Sequence, residues 1–112
     1  MKAVTNSTPF TGVAAIDSSI TPDQDFYLDE IRLHLDAVGG AGTLTITLNS
    51  KHGSEYDVLI VSQDMTLVQD LIYQPDVKRH FSLGDSITVA WANAGGKTYG
   101  LEFVYTEIWE VF

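Results

Sequence analysis

Residues 26–48 read FYLDEIRLHLDAVGGAGTLTITL, and this stretch carries the clearest structural pattern of the chain. The apolar residues that alternate with polar ones in it are Ile31, Leu33, Leu35 and Ala37, then Leu44, Ile46 and Leu48. A period of two is that of strands that bury one face. The alternation changes phase at Asp29-Glu30, which predicts a β-bulge or the onset of the strand. The glycine-rich segment 39–42 permits positive φ angles and predicts a hairpin between the two strands.

Alternation of the same kind continues toward the C-terminus. It recurs over 86–91 and 99–109, each time after a polar turn. Segment 56–61 has apolar residues of both parities, which predicts a strand buried on both faces. The segment after it is ambiguous, because its apolar residues fit both periods. We predict a turn or one helical turn over 64–68 and a strand over 70–74.

Taken together, these segments predict the fold class. Many short strands, polar turns and no long amphipathic helix are typical of an all-β fold. We expect a two-sheet antiparallel β-sandwich, jelly-roll-like, with seven to eight strands, and a second hairpin at 92–97. The sandwich domain is expected over residues 23–112. Residues 1–22 carry only two charged side chains and are expected to form an N-terminal arm that can include a first strand.

The charge balance of the chain is strongly acidic. Its 112 residues include 15 acidic and 6 basic side chains, for a formal net charge of −9. Such a field repels phosphate backbones, so nucleic acid is not expected as a partner. The chain has no cysteine, which excludes disulfides and thiolate metal sites. No apolar run approaches the length of a membrane-spanning helix, so no membrane partner is expected.

Common catalytic patterns are missing from the sequence. There is no Gly-x-Ser-x-Gly elbow, and segment 39–42 lacks the Lys-Ser/Thr of a phosphate-binding loop. The histidines His34, His52 and His80 fall on a polar strand position, in a turn and near a turn, where solvated side chains are expected. The sequence therefore predicts that the chain is not an enzyme and has no catalytic or cofactor-binding residues.

The sequence also leaves two kinds of binding site open, one for calcium and one for a sugar. A carboxylate cluster, Asp23, Asp25, Asp29 and Glu30, could supply oxygen ligands to calcium, although an acidic turn explains it as well. No metal is predicted, and calcium is the minor alternative. Aromatic side chains could form a sugar-stacking surface, although most of them are in phase with core positions. They are Tyr27, Tyr56, Tyr73, Trp91, Tyr99, Tyr105 and Trp109.

Both ends of the chain carry apolar residues that could contact another subunit. In the N-terminal segment such residues are spaced by three, and the C-terminus of this acidic chain is apolar. The N-terminal segment is also explained as an ordinary edge strand with a frayed end. We predict a partner-binding surface formed by Phe10, Val13, Ile16, Trp109, Val111 and Phe112.

Several stretches resemble small β-sandwich proteins of tailed-bacteriophage particles. They are FYLDEIRLHL (26–35), GGAGTLTITL (39–48), YDVL (56–59), FSLGDSITVAW (81–91) and TYGLEF (98–103). The resemblance spans residues 26–108 and consists of pattern, without a catalytic or binding motif. It implies a jelly-roll-like virion structural protein. It also implies that no enzymatic residue can be transferred to this chain.

The function implied by this resemblance is that of a capsid decoration (cement) protein. Such a protein would stabilise the phage head by bridging capsid subunits. The expected partner is the major capsid protein or another virion subunit, and a homo-oligomer, for example a trimer, is expected. Its location would be the virion, assembled in the host cytoplasm. The alternative is a carbohydrate- or receptor-binding β-sandwich module of a phage tail or secreted protein.

Overall fold

The structure is a computed structural model, and it describes residues 2–110 of the chain. These residues form nine strands and one 3₁₀ helix, Ser54–Tyr56. The strands are β1 (Lys2–Gly12), β2 (Ile16–Ile20), β3 (Asp25–Leu35), β4 (Thr43–Asn49), β5 (Val58–Asp64), β6 (Asp70–Tyr73), β7 (His80–Phe81), β8 (Ser86–Trp91) and β9 (Tyr99–Trp109). No helix in this part of the chain is long and apolar enough to cross a bilayer.

The strands form two antiparallel sheets. The first sheet has the order β1-β9-β3-β6, with β7 also paired to β3, and the second has the order β2-β8-β4-β5. The prediction of an all-β fold with two antiparallel sheets is confirmed. The predicted count of seven to eight strands is wrong, because residues 1–22 contain two strands where one was expected, and a short strand, β7, follows β6 after an interruption around Pro75, which has no N–H to donate to a sheet.

One apolar cluster contains side chains from both sheets. Phe26 and Phe103 of the first sheet and Ile46 and Ile87 of the second are completely buried in it. Alternate residues of β2, β3, β8 and β9 point into this cluster, as the period of two requires. The predicted bulge at Asp29 is confirmed, because the register of β3 on β9 shifts there.

Two connections that were predicted as hairpins join the two sheets instead. β3 lies in the first sheet and β4 in the second, so segment 39–42 connects strands that do not pair. The connection from β8 to β9 also changes sheets. Both hairpin predictions are wrong, because alternation identifies the buried face of a strand but not its neighbour. Gly42, at φ +119°, lies against the indole of Trp91, where a side chain would be strained.

The segment predicted as an N-terminal arm contributes a strand to each sheet. β1 pairs with β9 over its full length, from Lys2 opposite Trp109 to Gly12 opposite Tyr99. β2 pairs with β8, and Ile20 lies opposite Ile87. Residues 2–20 are therefore built into the edges of both sheets. β1 and β2 occupy one side of the molecule, and β5 with β6 and β7 ends the two sheets on the other side.

Candidate interaction surfaces

The residues predicted to bind a partner lie in three different environments. Phe10 is half-buried and packs edge-on against Phe103, with the ring centroids 5.8 Å apart. Ile16 is only 1% exposed, so its side chain belongs to the chain's own core and not to a contact surface. Val13, in the turn between β1 and β2, is 59% exposed, and Trp109 at the end of β9 is 39% exposed.

Val111 and Phe112, the remaining two predicted contacts, lie outside the described residues. Trp109 does line a surface groove of about 410 Å³ together with Lys2, Val4 and Glu107. Lys2 and Trp109 are direct neighbours across β1 and β9. The structure thus keeps Val13 and Trp109 on the surface but does not bring all the predicted contacts together.

A buried carboxylate anchors one wall of this groove. Glu107 accepts a hydrogen bond from the Asn6 side-chain amide at 2.5 Å and another from the backbone N–H of Asp23 at 3.2 Å. These two bonds compensate the burial of the carboxylate, which would otherwise be unfavourable. They also link the loop before β3 to the pair β1 and β9. Glu107 therefore has a structural role, because both of its carboxylate oxygens accept hydrogen bonds from the chain itself.

The predicted carboxylate cluster is dispersed among separate partners. Asp25 accepts from the backbone N–H of Leu83 at 2.8 Å, and Asp29 accepts from the Thr106 hydroxyl at 2.6 Å. Glu30 bonds to Arg32 on the same strand. Within residues 2–110, no three His, Cys, Asp or Glu side chains come together as a metal-binding group.

Arg32 is the centre of a surface ion-pair network. Its guanidinium bonds to Glu30 and, through Nη1 at 2.8 Å, to Glu102 of the neighbouring strand. The hydrogen bond from Arg32 holds the pKa of Glu30 below its usual range, and a second bond from Gln74 acts in the same direction. Hydrogen bonding with Glu30 correspondingly raises the pKa of Arg32. The backbone N–H of Thr66 lowers the pKa of Asp64 in the same way.

Two histidines form surface pairs with carboxylates, and two of the aromatic rings are buried. His34 pairs with Asp70 and His80 with Asp25, and all four side chains are about half exposed or more. Trp91 and Tyr99 are buried in the core. Those two rings are unavailable to stack on a sugar, which reduces the aromatic surface that the sequence had suggested for a carbohydrate-binding module.

The sequence did not predict the apolar surface at β5. β5 ends the second sheet, and Val58 and Leu59 are 49% and 57% exposed, so the prediction of a strand buried on both faces is wrong. Beside β5 lies a cleft of about 80 Å³ whose lining is mostly apolar. It is bordered by Val58 and Ile60 of β5 and, across it, by Tyr73, Phe81 and one charged side chain, Arg79.

β5 contains a bulge at the level of this cleft. The register between β4 and β5 shifts after Ile46, so Ile60 has no opposite residue on β4. The extra residue interrupts the alternation of faces. The uncharged run 58–63 was the only available signal in the sequence, and periodicity alone does not distinguish an exposed edge from a buried central strand.

Comparison with known proteins identifies a fold but no family. No protein-family model matches the chain, and no characterised protein matches it by sequence. Its fold is similar to that of a structure from Bacillus endospore appendages, which form disulfide-linked pili. The two share 16% identity over 96% of this chain and 89% of that chain, with a TM-score of 0.53. At this identity the similarity shows the fold alone.

Two more distant structures also align with the chain. The nucleoplasmin-like N-terminal domain of Drosophila FKBP39 has 12% identity and a TM-score of 0.48, covering 96% of this chain and 94% of its own. The virus-like particle of Macrobrachium rosenbergii extra small virus has 9% identity and a TM-score of 0.42, covering 99% of this chain and 82% of its own. Neither similarity is close enough to support an argument about function.

Proposed function

We propose that this chain is a structural protein of a virus particle, a decoration (cement) protein of a tailed-bacteriophage head. Its partner would be the major capsid protein, and its assembly into the virion would take place in the host cytoplasm. The observation that carries the proposal is the pair of exposed apolar side chains at the β1 margin of a two-sheet domain, Val13 and Trp109. Apolar surface of this kind favours contact with other subunits.

We infer that the domain is a jelly roll. An eight-stranded jelly roll has two four-stranded sheets. When β6 and β7 are counted as one interrupted strand, this chain has four strands in each sheet. Its connections change sheets at every step except between β4 and β5. This strand order supports the jelly-roll assignment and matches the fold that the resemblance to phage particle proteins implies.

Stabilisation of a shell by such a protein would be mechanical. A domain with a shared core resists deformation, and one that bridges adjacent capsid subunits adds its contact energy to the cost of separating them. Each contact can be weak, because a symmetric shell repeats it many times. The pili of the endospore appendages are linked by disulfides. This chain has no cysteine, so its contacts would be non-covalent.

The net charge of −9 supports a position on the outer surface of the head. Packaged DNA would repel a chain of this charge, whereas a position on the outside of the shell keeps the chain away from the DNA. A homo-oligomer, such as a trimer, would cover part of the exposed apolar surface and could match a local symmetry axis of the shell.

Reconstitution on particles tests this function. Heads of the virus that encodes the chain would be prepared without its gene and mixed with the purified protein. We expect saturable co-sedimentation and a higher temperature of genome release. Trp109→Ala should weaken binding, whereas Leu67→Ala, in an exposed turn on the other side of the molecule, is the matched control. Heads that take up no protein, or that gain no heat resistance from it, would contradict the proposal.

A further inference from the structure

We propose that the free edge of β5 and the cleft beside it bind an extended peptide segment of another protein. The segment would pair with β5 as a fifth strand of the second sheet and place one aliphatic side chain in the cleft. This interaction does not depend on the virion role, and it uses a surface different from the one predicted at the chain ends.

The unpaired edge determines the conformation of the ligand. β5 is seven residues long and terminates the second sheet. A terminal strand presents a row of backbone donors and acceptors, which an extended chain satisfies. Natural edge strands are commonly protected by charged side chains or by bulges, but residues 58–63 carry no charge and the bulge at Ile60 leaves residues 61–64 in regular register. The edge is therefore suited to strand addition.

The cleft determines the side chain that anchors the ligand. Its volume is about 80 Å³, and it is bordered by Val58, Ile60, Tyr73, Pro75 and Phe81. An apolar cavity of roughly 150 Å³ accommodates benzene, so this cleft is sized for an aliphatic side chain in preference to an aromatic one. In strand addition the backbone bonds provide affinity, and a pocket beside the edge provides specificity.

The charges at the two ends of β5 determine the chemistry of the partner. Asp57 precedes the strand and Asp64 ends it, whereas the cleft itself is lined by a cation, Arg79, which disfavours a basic residue in the middle of the ligand. A ligand with an uncharged middle and Lys or Arg at its ends would complement both carboxylates. Antiparallel pairing with β5 of a second copy would instead place Asp57 opposite Asp64 at each end, and like charges in that position are destabilising. A second copy is therefore the poorer occupant.

Strand β1 of a second copy also fits poorly. Its large apolar side chain, Phe10, already packs against Phe103 in its own domain and cannot reach a neighbour's cleft. The net charge of −9 on each copy adds a general repulsion. A segment of a different protein, apolar in the middle and basic at the ends, meets none of these obstacles.

A peptide library displayed on yeast tests this proposal with the intact chain as bait. Library members would have the length of β5 and random sequence. We expect selected peptides to contain one Leu, Ile, Val or Met between uncharged residues, with Lys or Arg at an end. A selected peptide should lose about tenfold or more in affinity against Val58→Lys, which blocks the cleft. Ser7→Lys introduces the same side chain at an exposed position of β1, on the other margin, and should leave the affinity unchanged.

Hydrogen exchange provides a second readout on the unmodified protein. Binding of a selected peptide should slow exchange of β5 amides and leave β1 amides unchanged. A library that returns no binder, or binders insensitive to Val58→Lys, would overturn the proposal. So would light scattering that shows a dimer of the free chain which Val58→Lys dissociates, since a second copy would then occupy the edge.

Discussion

The side-chain amide of Asn93 holds both backbone groups of Lys97. Asn93 Oδ1 accepts a hydrogen bond from the N–H of Lys97 at 3.0 Å, and Nδ2 donates to the Lys97 carbonyl at 2.9 Å. Nδ2 also donates to the carbonyl of Ala14 at 2.9 Å. One buried side chain thereby connects the loop between β8 and β9 to the turn between β1 and β2, which ties together strands of both sheets.

Replacement of Asn93 should destabilise the fold substantially. Asn93→Ala removes three hydrogen bonds to the backbone of Lys97 and Ala14 and replaces Asn by a residue that tolerates φ +47° less well, so we expect a loss of about 3 kcal/mol in the free energy of unfolding. Asn93→Gly removes the same hydrogen bonds but relieves the backbone strain, and should be about 1 kcal/mol less damaging than Asn93→Ala. Urea denaturation measures both, and equal stability of Asn93→Ala and the wild type would contradict the assignment.

Two adjacent glycines should respond in opposite ways to alanine. A β-carbon at Gly39 would lie 2.5 Å from the backbone oxygen of Met65, whereas one at Gly40 would meet nothing within 4 Å. Gly39→Ala must displace backbone and should cost about 2 kcal/mol or more. Gly40→Ala should be neutral or stabilising by about 0.4–1 kcal/mol, because it restricts the unfolded chain. Thermal unfolding of the two variants checks this prediction. Similar unfolding midpoints would show that the connection between β3 and β4 is not packed as described.

Core packing at Phe26 should dominate the stability of the first sheet. Its ring is fully buried and stacks on Phe81 with the centroids 5.2 Å apart. Phe26→Ala should cost about 3–5 kcal/mol, since it leaves a cavity between the sheets. Ile72→Ala, at an exposed position of the same sheet, should stay within about 0.5 kcal/mol of the wild type. Denaturant unfolding compares them, and a mild effect at Phe26 would argue against a shared core.

Acid should remove the stabilisation that the pair of Glu30 and Arg32 gives to the folded chain. The pKa of Glu30 is lowered in the folded chain, chiefly by its hydrogen bond from Arg32. The stabilisation is therefore complete above the ordinary carboxyl pKa and is lost as the pH falls through the lower folded value. Glu30→Gln should lower the unfolding midpoint slightly at neutral pH and not at all in strong acid. Glu55→Gln, in the exposed 3₁₀ helix, controls for the loss of one negative charge, and a Glu30→Gln difference that persists in acid would refute the mechanism.

Part of the candidate surface could be predicted and part could not. Exposed Val13 and Trp109 were identified because apolar residues stood out in polar or acidic surroundings. Ile16 shared that signal, yet it is buried, because its strand pairs with β8 at the edge of the second sheet. The cleft at β5 was missed because it is formed by segments distant in the chain, Val58 with Ile60 and Tyr73 with Phe81.

The sequence by itself determined the local geometry of the strands. Alternation along 31–35 and 99–103 identified the buried faces, and the phase change at Asp29 located the bulge, because side-chain direction in a strand depends only on neighbouring residues. Only the tertiary structure decided which strands pair. Segments 39–42 and 92–98 cross between sheets and β5 is exposed, since pairing and burial depend on contacts between residues far apart in the chain, which no local pattern records.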